Sequence, residues 1–253
     1  MQHARQKTSG TLSRGLGRFM PAVFALLVSL CIAGVASFSP ALLAKVKREF
    51  GTEAKYRILD WQQLINQDRG QQERDIIRSV NLFFNRVNFI TDERHWGRAD
   101  YWATPVEFLA TNGGDCEDYS IAKYFTLREL GVPDERMRIT YVKAARSAWL
   151  DTPQAHMVLA YYPQPDAVPL ILDNLIDDIL PASQRSDLVP VYSFNGLGLW
   201  VAKERGAGYT SLGNPGRIDF WTDMNIRMQQ ERQLGESYSV HGGNPDTLGH
   251  TGP

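Results

Sequence analysis

The spacing of apolar residues predicts amphipathic helices in the first half of the chain. Over Gln71–Phe89 they recur every three or four positions, as they do along one face of an α-helix. The stretch 37–70 before it is mixed, and the apolar residues between Leu59 and Ile65 predict a short amphipathic helix within it.

Two further helices are predicted on either side of a double glycine. Thr104–Glu107 (TPVE) supplies an N-cap residue, a proline at the first helical position and the glutamate of a capping box. This helix is expected to end at Asn112-Gly113-Gly114, and the next to begin near Asp115. The second helix has an apolar face and ends at Gly131-Val132-Pro133.

The remainder of the chain predicts strands. Five β-rich runs are separated by loops and turns: Met137–Lys143, His156–Tyr162, Leu170–Asp173, Val189–Phe194 and Leu199–Lys203. Helices followed by strands, without βαβ alternation, predict an α+β fold in which N-terminal helices pack on an antiparallel β-sheet.

Composition and charge narrow the class of protein. The chain has 253 residues, 43% of them hydrophobic, which predicts one compact domain with additions or two small domains. A formal net charge of -1 argues against nucleic acid as a partner, because such binding needs a basic face.

The two ends differ from the middle. Basic residues precede the apolar run Pro21–Val35, and small residues follow it, which predicts a secretory signal peptide over residues 1–36. The alternative is an uncleaved membrane anchor, although the run is shorter than the roughly 20 residues that a spanning helix needs. Ser237–Pro253 contains glycine, proline and histidine with little to bury, which predicts a disordered tail.

The two cysteines are Cys31, in the predicted signal peptide, and Cys116. Cleavage would leave Cys116 as the one cysteine of an exported protein, a pattern typical of a reactive thiol; a buried, inert cysteine is the alternative. Cys116 lies in Asn112–Ser120 (NGGDCEDYS), at a predicted helix start that would stabilise a thiolate. The three neighbouring carboxylates would oppose ionisation unless something neutralises them.

A cysteine nucleophile needs a base and a group that orients the base. His156 opens a predicted strand, whereas the other histidines lie in the leader, a charged loop and the tail. Asp173 closes the next predicted strand, and adjacent antiparallel strands bring such ends together. The alternatives are a structural histidine and an aspartate that only begins a loop.

Four segments carry a family resemblance: Trp102–Glu107 (WATPVE), Gly113–Tyr124 (GGDCEDYSIAKY), Ala155–Leu159 (AHMVL) and Leu170–Asn174 (LILDN). They resemble the bacterial transglutaminase-like cysteine proteinases of the LapG type. The resemblance implies a papain-like or transglutaminase-like domain over residues 50–235. It further implies Cys116 as nucleophile, His156 as base and Asp173 as the orienting acid, with Asn174 as the alternative orienter.

The resemblance also implies a Ca²⁺ cofactor held by Asp115, Glu117 and Asp118. Calcium prefers hard oxygen ligands, and the ion would neutralise the acids around the thiol. The alternative is that these acids cap the helix and complement its dipole, and the two roles are compatible.

The family implies a periplasmic endopeptidase that cuts the N-terminal region of a large surface adhesin between small residues, typically Ala-Ala. Release of the adhesin would disperse a biofilm, and an inner-membrane receptor responsive to cyclic di-GMP would inhibit the protease. Two alternatives stay open: acyl transfer by a transglutaminase or amidase at the same site, and a non-catalytic binding module. The Cys116 backbone N–H and the Trp102 indole are candidate oxyanion donors, with a core position as the alternative for Trp102.

Overall fold

In the part of the chain that the structure describes, most helices precede residue 130, the strands of the main sheet follow it, and one long helix comes last. The computed structural model describes residues 37–145, 154–202 and 209–241, all within the second of the chain's two units, Val35–Pro253. Its α-helices are α1 (Pro40–Phe50), α2 (Thr52–Asp68), α3 (Glu73–Phe84), α4 (Asp92–His95), α5 (Pro105–Thr111), α6 (Cys116–Glu129) and α7 (Asp219–His241). The predicted signal peptide and Cys31 lie outside the described residues. Within these ranges no helix is both long enough and apolar enough to span a membrane.

A seven-stranded antiparallel sheet forms the second layer. Its strands are β3 (Met137–Ala144), β4 (Gln154–Tyr161), β5 (Leu170–Leu172), β6 (Leu180–Pro181), β7 (Leu188–Phe194), β8 (Leu199–Ala202) and β9 (Tyr209–Gly213), in the order β6-β5-β4-β3-β7-β8-β9. The predicted α+β arrangement is confirmed. The edge strands β6 and β9 were not predicted, because β6 is two residues long and β9 shows no clear apolar alternation.

The sequence predicts one short helix in residues 37–70, and this prediction is wrong. Two helices of 11 and 17 residues fill the stretch. Gly51 separates them with φ of 91°, in the left-handed region that glycine adopts without steric cost. Ser39 caps α1 by accepting the backbone N–H of Leu42, and Trp61 anchors α2 by donating its indole N–H to Thr126 on α6.

Helix α3 ends at Phe84, so the prediction that it extends to Phe89 is wrong in its last turn. Asn88–Phe89 instead forms β1, which pairs in parallel with β2 (Gly113–Gly114), two residues before Cys116. Pairing with β2 satisfies backbone groups that the helix would otherwise have bonded, and it ties the end of α3 to the start of α6.

The helix α7 continues through His241, whereas the sequence predicts disorder from Ser237. Ser237–His241 contains neither glycine nor proline, so nothing in it stops the helix before Gly242. The rest of the predicted tail, residues 242–253, lies outside the described residues.

Helix α6 lies at the centre of the domain. It packs on β3 and β4 on one side and on α3 and α5 on the other, and every residue from Glu117 to Leu127 is buried. The sequence predicts one apolar face for this helix, but the structure buries its polar side chains as well. A buried polar group without a hydrogen-bond partner destabilises the fold, so the residues around α6 must supply partners for its polar side chains.

Arg57 of α2 is expected to stabilise the helix that leads into this region. Its Nε and Nη2 donate to the carbonyls of Leu109 and Ala110 at the end of α5, each at 2.6 Å. We expect Arg57→Ala to lower the free energy of unfolding by about 2 kcal/mol, since two charged hydrogen bonds to carbonyls at the end of α5 are lost. The matched variant Lys55→Ala should change it by less than about 0.5 kcal/mol. Urea denaturation measures both, and equal losses would contradict this role.

Candidate active site

The loop before α6 is shaped to present Cys116 at the first helical position. Asn112 ends α5 in the left-handed conformation, with φ of 54°. A Cβ on Gly114 would collide with the Asp118 carboxylate and lie 2.7 Å from the Phe108 ring, so only glycine fits there. Asp115 occupies the N-cap position and Cys116 begins the helix, as the sequence predicts. The capping box predicted on Thr104 and Glu107 at α5 is also present.

The Cys116 thiol lies between an acid and a strand. Its Sγ is 3.1 Å from Oε2 of Glu117, to which it donates, and it accepts the backbone N–H of Met157 on β4. Burial, followed by the charge and hydrogen bond of Glu117, raises the pKa of Cys116 well above its ordinary value, and the Met157 N–H opposes this. The carboxylates therefore oppose ionisation of the thiol, as their place in the sequence suggests.

His156 and Asp173 meet as expected, although His156 is the third residue of β4 and does not open the strand, which begins at Gln154. His156 Nε2 lies 2.8 Å from Asp173 Oδ1, and both side chains are buried. With Nε2 engaged by the carboxylate, Nδ1 is the ring nitrogen left for another partner. His156 directly precedes Met157, whose N–H reaches the Cys116 sulfur, so the backbone of β4 next to His156 contacts the thiol.

Asp173 is held as an anion. Besides His156, it accepts the backbone N–H of Leu175 at 3.0 Å on Oδ1 and Arg185 Nη2 at 2.7 Å on Oδ2. Burial alone would raise the pKa of Asp173, but His156, the Leu175 N–H and Arg185 outweigh it and lower the pKa to about 2. Asp173 itself reaches the imidazole, so the geometry does not require the alternative orienter Asn174.

Two buried cations near Asp173 were missed by sequence reasoning. Arg185 lies in a loop without periodicity, and Lys123 sits in the middle of α6. Lys123 Nζ is buried without a hydrogen-bond partner among the described residues. Burial lowers the pKa of Lys123 to about 7, against the charges of Asp173 and Asp177, which raise it. The position of either residue near Asp173 depends on contacts between distant parts of the sequence, which local patterns do not show.

Five acids crowd around the start of α6. Ligand atoms lie within 4.8 Å of one another in three overlapping groups: Asp92 with Asp115 and Asp118, Asp92 with Asp100 and Glu117, and Asp115 with Cys116 and Glu117. The three acids predicted as ligands thus belong to one cluster, but Asp92 and Asp100 connect it. Sequence reasoning missed these two, although Asp92 stands in the charged run Asp92–His95.

The donor set fits a hard cation. Asp92 Oδ1 and Asp115 Oδ1 are buried and have no hydrogen-bond partner in the described part of the chain. Burial and the Asp115 charge raise the pKa of Asp92 to about 7. Burial, with the charges of Asp115 and Asp92, also raises the pKa of Asp118, although the Ala103 N–H lowers it. Unpaired carboxylate oxygens that repel one another are the ligands calcium prefers.

Asp118 also has the structural role that the alternative interpretation assigns to these acids. Its Oδ2 accepts the backbone N–H of Asp115 at 3.1 Å, and its Oδ1 accepts that of Ala103 at 2.7 Å. Asp118 therefore caps α6 and fixes the loop before α5 at the same time. Capping and a place in the acidic cluster are compatible, because each uses separate lone pairs of the carboxylate.

Trp102 is not available as an oxyanion donor. Its ring stacks on Phe194 with a centroid separation of 5.5 Å, and its indole N–H is hydrogen-bonded to the Asp100 carboxylate. The core position that the sequence offered as the alternative is the one that the structure shows.

Comparisons with known proteins agree with this geometry. The family model for bacterial transglutaminase-like cysteine proteinases matches residues 54–201. EGTA-treated LapG of Legionella pneumophila is 41% identical with a TM-score of 0.65, covering 75% of this chain and 97% of that one. Calcium-bound LapG of the same organism is 43% identical with a TM-score of 0.61, covering 75% and 99%. A search of curated proteins found no match.

Lys123 should make stability depend on pH. The native protein releases its proton near pH 7, whereas the unfolded chain holds it up to pH 10.5. The native state binds fewer protons between these values, so the free energy of unfolding should rise with pH there, by at most about 1.4 kcal/mol per unit. Lys123→Met should abolish this increment in urea denaturation series, and Lys55→Met should not. Parallel wild-type and Lys123→Met curves would contradict the burial of a lysine that lacks a hydrogen-bond partner.

Proposed function

The chain belongs to the family of bacterial transglutaminase-like cysteine proteinases, and from this we propose that it is a calcium-dependent cysteine endopeptidase with Cys116, His156 and Asp173 as its catalytic residues. The observation that supports it most is the buried bond of 2.8 Å between His156 Nε2 and Asp173 Oδ1, on the strand whose next residue contacts the Cys116 sulfur. A histidine with only a structural role would not need to precede a residue that contacts a thiol.

In the proposed reaction, His156 Nδ1 takes the proton of the Cys116 thiol, and the thiolate attacks the carbonyl carbon of the scissile peptide bond. Asp173 holds the proton on Nε2 and stabilises the imidazolium that forms. The imidazolium then gives its proton to the leaving amine, and an acyl-enzyme thioester remains. Water, deprotonated by His156, releases the new carboxyl end and restores the thiol.

We propose that the acidic cluster of Asp92, Asp100, Asp115, Glu117 and Asp118 holds Ca²⁺. When bound, the ion supplies positive charge that offsets these carboxylates and so favours the thiolate. The residues contribute a fixed frame: Asp118 anchors the start of α6 through the Asp115 and Ala103 N–H groups, and Asp92 accepts the Tyr101 N–H at 2.5 Å. Glu117, which accepts the Cys116 S–H, connects the cluster to the nucleophile.

The biological setting is also proposed from the family resemblance. The protease acts in the periplasm after export through its N-terminal signal. It cleaves the N-terminal region of a large surface adhesin at an Ala-Ala site, which releases the adhesin and promotes biofilm dispersal. A cyclic-di-GMP-responsive receptor of the inner membrane inhibits it. The apolar run Pro21–Val35 after basic residues supports export.

Cleavage of a fluorogenic peptide with a central Ala-Ala pair tests the catalytic proposal. Cys116→Ser and His156→Ala should each lower kcat/KM by about a thousandfold or more, since the members of a catalytic triad act as a unit. The exposed Glu93→Gln serves as the control and should cleave like the wild type. Parallel reactions with a labelled amine separate the alternatives. Amine incorporation without cleavage would replace the protease with an acyl transferase, and neither product would favour a binding module.

Metal removal tests the calcium proposal. We expect EGTA to abolish cleavage and excess Ca²⁺ to restore it. Isothermal titration calorimetry of the chelated protein should show that Asp92→Asn weakens Ca²⁺ binding at least about tenfold, because a ligand in two of the three groups loses its charge. The neighbouring Glu93→Gln should bind like the wild type. Cleavage that persists in EGTA, or an unchanged affinity of Asp92→Asn, would refute a required ion held at this cluster.

A further inference from the structure

Both oxygens of the Asp173 carboxylate accept hydrogen bonds. Oδ1 bonds His156 Nε2 and the Leu175 N–H, and Oδ2 bonds Nη2 of Arg185 at 2.7 Å. The Asp173 side chain is 0% exposed and that of Arg185 is 5% exposed. This contact is therefore a desolvated ion pair, unlike the ion pairs on a protein surface, which solvent screens.

Arg185 is itself held in place. Its Nε bonds Asp187 Oδ1 at 2.9 Å and its Nη2 bonds Asp187 Oδ2 at 2.8 Å, a bidentate contact that fixes the plane of the guanidinium. Asp187 is anchored in turn, because its carbonyl accepts the Ala145 N–H at the end of β3. A continuous series of contacts thus runs from the sheet through Asp187, Arg185 and Asp173 to His156.

We propose that Arg185 is a positioning residue of the active site, which binds Oδ2 of Asp173 and so keeps Oδ1 directed at His156 Nε2. The inference rests on the proposed function, in which His156 is the base. Arg185 touches neither substrate nor thiol in this proposal and acts only through Asp173.

Two physical arguments support this role. First, Asp173 follows a strand of three residues and begins a loop, and its bonds to His156 and Leu175 are both on Oδ1, so the Arg185 bond is the one that holds Oδ2 and limits rotation about Cβ–Cγ. Second, a buried ion pair adds little net stability, because desolvation offsets the attraction, so orientation is the clearer consequence of the contact.

The charge of Arg185 also matters for the base. The other charged groups near Asp173 are Asp187, Asp177 and Lys123 on α6. Lys123 Nζ has no hydrogen-bond partner among the described residues and lies 5.9 Å from the centre of the Tyr119 ring. Arg185 is the cation in direct contact with the carboxylate, so it balances the anion even when His156 is neutral. A neutral imidazole is the form that accepts the thiol proton.

Alkylation of Cys116 by iodoacetamide tests the inference independently of any substrate. The probe is applied to the full chain in Ca²⁺, modification of Cys116 is followed by peptide mass spectrometry, and thermal melting reports folding. We expect Arg185→Gln to slow alkylation roughly tenfold to a hundredfold, as a misplaced catalytic group does. Arg185→Lys should retain part of the rate, because it keeps the charge without the planar fork. Guanidinium ions at millimolar concentration should partly restore Arg185→Ala, which a purely structural role would not allow.

Two controls separate the outcomes. Asp187→Asn changes a half-exposed residue and keeps Arg185, so this variant should fold even if Arg185→Gln does not. It should slow alkylation of Cys116 by a smaller factor, about two to five. If Arg185→Gln folds and is alkylated at the wild-type rate, the positioning role is wrong. If Arg185→Gln does not fold, alkylation of Asp187→Asn at the wild-type rate would show the same. His156→Ala reacting at the wild-type rate would instead overturn the proposed catalytic function, so the two failures are distinguishable.

Discussion

The first turn of α6 combines burial with negative charge, and much of the domain is arranged around that combination. Asp118 is completely buried, yet its two oxygens accept backbone N–H groups from Asp115 and Ala103. Those bonds join the start of α6 to the loop before α5. Asp92 extends the same arrangement by accepting the Tyr101 N–H, so the acids order the loops that surround them. Charge that would otherwise destabilise the interior is thus used to fix the position of Cys116.

The sheet contributes the other half of the site through its register. Leu159 on β4 lies opposite Leu172 on β5, which places the start of the next loop beside the earlier part of β4. His156 and Asp173 therefore meet at hydrogen-bond distance although they are 17 positions apart in the sequence. The same strand β4 packs on α6, and the N–H of Met157, the residue after His156, contacts the Cys116 sulfur. Secondary structure and packing thus position the proposed catalytic residues more firmly than flexible loops would.

The negative charges at the two ends of this site are balanced in different ways. Around Cys116 the acids have few cationic partners among the described residues, so the donor set favours a bound cation. Around Asp173 the protein supplies its own cations, Arg185 in direct contact and Lys123 nearby. The proposed enzyme would therefore depend on an external ion on the nucleophile side and on built-in cations on the acid side.

The sequence by itself determined the elements that have local signals. The capping box at Thr104, the double glycine before Cys116 and the β-rich runs each reflect short-range backbone chemistry, and the structure reproduces them within a few residues. The motif around Cys116 also determined the family. Tertiary structure alone decided that Arg185 grips Asp173 and that Asp92 joins Asp118, because these contacts depend on loop paths that carry no periodicity. Tertiary structure also decided that Lys123 is buried. Helix α6 is enclosed on all sides, so it has no exposed polar face, and its sequence could not indicate that Lys123 points into the interior.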